Sequence, residues 1–436
     1  MVKTRGDRTP LLLEVVEELT SGPSRPALRV VAVPGAADIG RLIPIRTRST
    51  TLGRDANRAG PGYVALPDPT LSREHISVVV EASGTITLKD LGSTNGTRLN
   101  AERVEGGRVR CGDVIRIANT VLLVCDEPVI PADDLGMVGH TPEMAALRQT
   151  IQRAAPSTLP VLVIGETGTG KELVAGAVHR ASKRPGRLVT INCAAIPENL
   201  VESTLFGHQR GAFTGATTTE PGAFVDADGG TLFLDEIGEM SPMVQPKLLR
   251  VLEAGEVTPV GSSRARKVDV RLVAATNREL REEVAESRFR EDLYARIAGV
   301  TVRPPPLRDR RDDLAALFSR FLPGTFRGVP FHPAAAEAIL LYEWPRNVRE
   351  VVRLAQRLPV LHPDATVWTL PMLGDELQET HQAYSPPAWP PSREDLERLL
   401  AHFDGNVSEA ARAVNRNRKQ IYRWMDKLGI QQSHKA

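Results

Sequence analysis

Disulfide chemistry has little to work with in this 436-residue sequence. Its three cysteines, Cys111, Cys125 and Cys193, are odd in number and far apart, which excludes a disulfide framework or a zinc knuckle and points to a reducing compartment. Long apolar runs are missing too. Val161–Ile164 is strand-length, far below the ~20 residues a membrane helix needs, and the leucines at 11–13 are cut short by Glu14, Glu17 and Glu18, unlike a signal peptide. A soluble cytoplasmic protein with no membrane partner is expected. Nor does one charge dominate: 55 Lys and Arg against 53 Asp and Glu leave +2, so any nucleic-acid site has to be a local patch. No internal repeat is present. The length exceeds what one core organises, and roughly two to four domains are expected.

Composition divides the chain. Residues 1–27 form an N-terminal extension. Between 28 and 126, short β-branched runs at 29–33, 76–81, 85–88 and 121–124 are separated by Gly-containing turns, which predicts an all-β sandwich. A Pro- and acid-containing linker spans 127–137, and strands then alternate with helical patterns, as in an α/β nucleotide-binding domain, with helices continuing to 373. Residues 374–391 read as a linker in which Pro386, Pro387, Pro390 and Pro391 make a semi-rigid spacer, and 392–436 as an all-α end.

The strongest chemical signal is Gly165-Glu166-Thr167-Gly168-Thr169-Gly170-Lys171, between the apolar run Val161–Ile164 and a helical pattern at 172–180. Its glycines let backbone N–H groups face phosphate oxygens, the helix N-terminus adds positive potential, and Lys171 reaches the β and γ phosphates of ATP. Glu172 stands where a Ser or Thr usually ligates magnesium. Further on, the apolar strand Thr231-Leu232-Phe233-Leu234 ends in Asp235 and Glu236, which suits an Asp235 that organises Mg²⁺ and a Glu236 that polarises the attacking water.

At the C-terminus, a short helical pattern at 406–414 and a second at 417–428, joined by Asn415 and Arg416, read as a helix-turn-helix. From Asn406 onward seven Lys and Arg face two acidic residues, a local excess of +5, and Arg418, Lys419, Gln420 and Arg423 are the candidates to reach bases or phosphates. This is the local basic patch that the balanced net charge leaves room for.

Phe206-Gly207-His208-Gln209-Arg210, followed by Gly211-Ala212-Phe213-Thr214-Gly215-Ala216, resembles the surface loop with which bacterial enhancer-binding proteins, AAA+ activators of sigma-54 RNA polymerase, grip the sigma factor. That family usually has Glu where Gln209 stands. The resemblance implies that Asn192 is a switch residue pairing with Glu236, that Thr276 and Asn277 form a first sensor of the γ phosphate, and that Arg290 and Arg296 are fingers working on a neighbouring subunit's nucleotide. It also implies that Arg349, in Trp344-Pro345-Arg346-Asn347-Val348-Arg349, contacts nucleotide in its own subunit. A homo-oligomer is expected, from a dimer on DNA to a hexameric ring. The glutamate at 172 is shared with these ATPases.

Within the β region, Gly53-Arg54, Ser72-Arg73-Glu74-His75 and Gly92-Ser93-Thr94-Asn95-Gly96-Thr97 resemble a forkhead-associated (FHA) domain, a phosphothreonine-binding sandwich. Arg54, Ser72, Arg73, Thr94 and Asn95 are the implied phosphopeptide residues, with His75 and Gly53 structural. The C-terminus is similar to Fis-type ends. The expectation is a multidomain protein: an FHA sandwich, an α/β AAA+ P-loop ATPase with a helical lid, and a helix-turn-helix. It would activate the sigma-54 holoenzyme from enhancer DNA and take its input from a Ser/Thr kinase or another phosphothreonine protein. The alternatives are a nucleotide-assembled, phosphopeptide-responsive repressor, which would block transcription without ATP turnover, and a general AAA+ remodeller, which the sigma-binding loop disfavours.

Overall fold

Period-two burial organises the N-terminal region. A strand that packs on one face alternates, and a strand packed on both faces is apolar throughout. In the computed structural model Thr120–Asp126 is of the second kind: Leu122 and Val124 join the sandwich core, while Val121 and Leu123 join a different cluster that contains the lid helices. The structure describes residues 25–34, 38–45, 49–58, 60–128, 133–213, 216–384 and 418–430, with single positions between 393 and 407.

The sandwich has two sheets. One runs Leu42–Pro44, Pro26–Ala32, Thr120–Asp126, Val114–Ile117, Thr97–Leu99, Glu102–Val104; the other runs Tyr63–Ala65, Thr50–Gly53, Ile76–Val80, Ile86–Asp90, Gly106–Val109. Leu28, Leu52, Ile76, Ile115 and Leu122 fill the space between them.

A five-stranded parallel sheet follows, ordered Leu188–Asn192, Thr231–Asp235, Arg271–Thr276, Val161–Ile164, Val300–Val302. Its three central strands are almost continuously buried because helices cover both faces, and such sheets bind ligands beyond the carboxyl ends of their strands. Four of those ends carry Gly165, Asn192, Asp235 with Glu236, and Thr276 with Asn277. The sequence therefore brings its distant motifs to one rim.

The lid comprises Leu314–Phe321, Pro333–Leu341, Asn347–Leu361 and Asp375–Tyr384. The last of these begins inside the stretch read as a linker from residue 374. Its prolines start only at 386, so the preceding residues are free to form a helix, and Leu377 is buried in the lid core. The linker read at 127–137 likewise ends in packed chain, with Leu135 and Met137 buried against the α/β core.

A helix occupies Arg418–Leu428. Ile421, Trp424 and Met425, at helical spacing, are buried with Leu396, Leu400 and Val407. The first helical pattern and its turn at Asn415 and Arg416 lie outside the described residues, apart from Val407. So does the proline spacer.

Candidate functional site

The phosphate loop is shaped by its glycines and by its contact with the lid. Gly168 (φ +81°) and Gly170 (φ +103°) occupy the left-handed region that β-carbons disfavour. A β-carbon on Gly168 would stand 2.1 Å from the Arg346 carbonyl oxygen, so the absent side chain lets the lid backbone touch the loop. The Val348 amide donates to the Gly168 carbonyl at 3.1 Å. The helix Lys171–Ser182 starts at once, aiming its N-terminus at the loop.

Lys171 is buried and donates from Nζ to the Gly165 carbonyl at 3.0 Å and to Glu236 Oε1 at 3.2 Å. The other Glu236 oxygen accepts from the Asn277 amide at 3.2 Å. Burial raises the Asp235 carboxyl above the ordinary range, the adjacent Glu236 charge adds to the rise, and Lys171 opposes it. Such a carboxylate is improved by a cation. A cavity of about 590 Å³ joins the loop, Lys171, Glu172, Asn192, Asp235 and Glu236 to Arg310, Arg320 and Arg349. The volume is within the usual range for small-molecule sites.

The expected pairing of Asn192 with Glu236 is not formed. Asn192 Oδ1 accepts from the Ala194 amide at 3.0 Å, capping the turn Cys193–Ala195. Glu236, in the left-handed region at φ +52°, is held instead by an ammonium, a stronger partner than a neutral amide. Thr276 is buried with Oγ1 accepting from the Arg278 amide at 3.0 Å, which leaves the amide of Asn277 as the sensor atom nearest Glu236.

Sequence reasoning missed a bracket around Glu166. Arg308 forks onto it at 2.9 and 2.6 Å, holding its carboxyl below the usual range. Asn347, fully buried at φ +50°, donates to Glu166 Oε2 and to the Thr167 carbonyl, both at 3.1 Å, and accepts from the Leu307 amide at 2.7 Å. The charged run at residues 307–313 was the available signal.

The loop at 209–216 stands on a narrow stem. Gly207–His208 pairs with Glu220–Pro221, and a β-carbon on Gly222 would stand 2.2 Å from the Gly207 nitrogen. The Gln209 amide donates to the Val260 carbonyl at 3.0 Å, and the Gly211 amide to that of Ala216 at 2.8 Å. Phe213 is 38% exposed, its ring tilted against His208 at 5.1 Å, so it is not a core residue. Thr214 and Gly215 lie outside the described residues.

On the sandwich, Arg54, Arg73, Thr94 and Asn95 are exposed and Ser72 is half-buried. A β-carbon on Gly53 would stand 2.0 Å from the Arg73 carbonyl oxygen, so glycine again permits two loops to touch. The Thr94 amide donates to Ser72 Oγ at 3.0 Å, and Asn95 Nδ2 to the Thr70 carbonyl at 2.7 Å. His75, fully buried, accepts from the Ser72 amide through Nδ1 and reaches the Gly96 carbonyl from Nε2 at 3.2 Å, bracing both loops.

Comparison with known proteins gives these sites a context. Family profiles match for the Sigma-54 interaction domain over residues 137–303, the FHA domain over 50–118 and the AAA+ ATPase lid domain over 308–389. The transcriptional regulatory protein ZraR of Klebsiella oxytoca is 43% identical over 325 residues, which are 70% of this chain and 72% of the relative. The chain belongs to the sigma-54-dependent transcriptional activator family. The C4-dicarboxylate transport transcriptional regulatory protein DctD of Rhizobium meliloti is 42% identical over 315 residues, 69% of this chain and 65% of the relative. The structure of NtrX from Brucella abortus in complex with ATP superposes with a TM-score of 0.51 at 33% identity, covering 67% of this chain and 69% of that one.

Two arginines of this activator stand apart from its own cavity. Arg290 is exposed and paired with Asp292 at 2.7 Å, and Arg296 is exposed and donates to the Leu252 carbonyl at 2.7 Å. Neither lines the cavity that holds Lys171. On the C-terminal helix Arg423 is exposed, opposite the buried Trp424 face, while the side chains of Arg418, Lys419 and Gln420 lie outside the described residues.

Proposed function

We propose that this protein hydrolyses ATP to remodel the sigma-54 RNA polymerase closed complex, working in the cytoplasm from enhancer DNA and under control of a phosphothreonine signal read by its FHA domain. The observation that carries this reading is the pairing of a phosphate loop and acidic strand end with an exposed Phe213 on a glycine-pinned stem, inside the segment that matches the Sigma-54 interaction domain.

ATP enters the cavity with its phosphates on the backbone N–H groups of residues 165–171. Lys171 then exchanges part of its contact with Glu236 for phosphate oxygens, which releases a carboxylate to polarise the attacking water. The Asn277 amide keeps Glu236 oriented while this happens. Glu172 lines the same cavity, and Arg349 closes it from the lid. Magnesium fits Asp235, a carboxyl on the cavity wall that burial and Glu236 raise above the ordinary range and that a cation would favour in its charged form. One carboxylate with substrate phosphates is a usual magnesium environment. When bound, the ion supplies charge neutralisation of the phosphate oxygens.

Arg290 and Arg296, exposed and outside their own chain's cavity, serve a neighbouring subunit, so turnover requires a ring, taken here as a hexamer. Asn192 acts after nucleotide arrives, by leaving its cap on Ala194 for Glu236. Phe213 and Thr214, flanked by Gly211, Ala212, Gly215 and Ala216, press on sigma-54. Arg54, Ser72, Arg73, Thr94 and Asn95 take the phosphothreonine peptide. Arg418, Lys419, Gln420 and Arg423 contact DNA.

The test is ATP-dependent open-complex formation on a sigma-54 promoter with purified protein. Opening that is lost in Thr214→Ala while ATP turnover persists is the expected result. Full ATPase activity and DNA binding without opening would overturn the proposal.

A further inference from the structure

The outer face of one FHA sheet is buried against the lid. Alternate residues of three strands turn outward together: Arg29 and Val31, Val114 and Arg116, Val121 and Leu123. They meet the helix Pro333–Leu341, whose run of alanines lets the sheet approach and whose residues 335–341 are all buried. In that helix Glu337 is fully buried, and Arg116 Nη1 donates to its Oε2 at 2.6 Å. A buried carboxylate whose guanidinium comes from another domain is costly to undock. Arg54, Arg73, Thr94 and Asn95 remain exposed in this docked arrangement.

The docking reaches the hinge between core and lid. Residues Leu307–Asp313 connect the last core strand, Val300–Val302, to the first lid helix, Leu314–Phe321, and turn out of helical geometry at Arg310. Their side chains go three ways. Arg308 and Arg310 hold the phosphate loop, at Glu166 and at the Thr169 carbonyl. Asp313 holds the core, accepting from the amides of His140 at 2.7 Å and Thr141 at 3.2 Å. Arg311 and Asp312 hold the FHA domain: Arg311 donates to the Gly112 carbonyl at 3.0 Å, and Arg29 forks onto Asp312 at 2.5 and 2.9 Å. Asp312 also bonds His140 Nε2 at 2.8 Å, which ties core, hinge and FHA domain at one carboxylate.

We infer that the FHA sandwich is a clamp across the core–lid hinge, built in through Arg29–Asp312 and Arg116–Glu337, and that its docking sets how tightly the site holds nucleotide. The inference rests on the nucleotide-site reading above. The cavity is walled by the core on one side and by Leu317, Phe321, Val348 and Arg349 of the lid on the other. A fixed hinge presents both walls in register, and a loose one leaves that ordering to the ligand.

The experiment is titration of the full-length protein with a fluorescent ADP analogue. Arg29→Gln should weaken nucleotide binding by about 5- to 20-fold, the lower part of the span of ordinary coupling between sites. Asp312→Asn should do the same, and the double variant should be no weaker than the worse single one, because the two side chains act through one bond. Arg25→Gln, which removes an exposed pair with Glu127 on the same sandwich, should bind as wild type. If Arg29→Gln proves poorly folded, Arg29→Lys keeps the charge and loses the fork, and a smaller weakening is expected. A lowered melting temperature with unchanged nucleotide affinity would overturn the clamp and leave a purely structural dock. Failure of the wild type to bind nucleotide would instead remove the ATPase reading, and the clamp with it.

Discussion

The phosphate loop and the FHA loops are built alike at one point and oppositely elsewhere. In each, a glycine without room for a β-carbon lets a second backbone segment touch the loop: Arg346 against Gly168, and Arg73 against Gly53. Around the phosphate loop the cation is buried and already paired, Lys171 with Glu236, and the lid forms a wall. On the FHA domain Arg54 and Arg73 are exposed, and the bracing His75 is buried. Turnover needs water excluded and charges fixed in place, whereas a sensor needs its cations where a protein partner can reach them.

The largest effect is expected where the enclosed site does its chemistry. Glu236→Gln keeps the size of the side chain but only one acceptor oxygen, so it can hold Lys171 or the Asn277 amide and not both. Without the base, ATP turnover should fall by roughly 10²–10³-fold with nucleotide still bound. Steady-state ATPase rates beside nucleotide titration check this. Equal losses in both would mean that Glu236 serves binding rather than reaction.

Next come the glycines, which test the feature the two sites share. Gly168→Ala combines a strained φ of +81° with a clash on the lid backbone. It should cost about 2–4 kcal/mol, read as weakened nucleotide binding. Gly53→Ala clashes without the positive φ, and its cost should appear in the unfolding of the sandwich, with nucleotide affinity kept wherever the sandwich is still folded and docked through Arg29–Asp312. A fall in nucleotide affinity in a folded Gly53→Ala protein would show that strain at this loop reaches the docking face.

Arg54→Ala tests the open site. A charge-assisted bond to phosphate is worth about 1.5–3 kcal/mol, so binding to phosphothreonine peptides should weaken by roughly 10- to 100-fold, measured by fluorescence anisotropy. Binding that persists would move the phosphate to Arg73.

How legible each region is in the sequence follows the same division. The phosphate loop, the acidic strand end and the FHA loops are local runs, so their spacing exposes them. The bracket on Glu166 is not local: Arg308 arrives from the segment between core and lid and Asn347 from the lid, and only the three-dimensional fold brings them to residue 166. The run at 121–124 was legible as a buried strand, but not that half of it faces the lid. A lone acid in the alanine-rich helix, Glu337, and the charged run at 307–313 were the only traces of the docking face. The linker boundary at 374 failed because prolines mark where a helix must stop, not where the preceding chain loosens.

The smallest effect separates the two regions by pH. His75 accepts from Ser72 through Nδ1 and must therefore be neutral; burial lowers its pKa below the ordinary value, against the raising pull of Gly96, Asp90 and Asp68. A histidine depressed in the folded state contributes stability above its unfolded pKa of about 6.5. That contribution is lost as pH falls through the unfolded value toward the folded one, because the folded sandwich resists the proton that the unfolded chain takes up. The FHA domain should then lose stability as pH falls below roughly 6.5, while the phosphate loop itself has no histidine to titrate. Phosphopeptide binding and nucleotide binding measured in parallel across the window should separate. His75→Asn, which retains an acceptor without titrating, should flatten the first curve, and a slope that survives it would place the titrating group elsewhere in the sandwich.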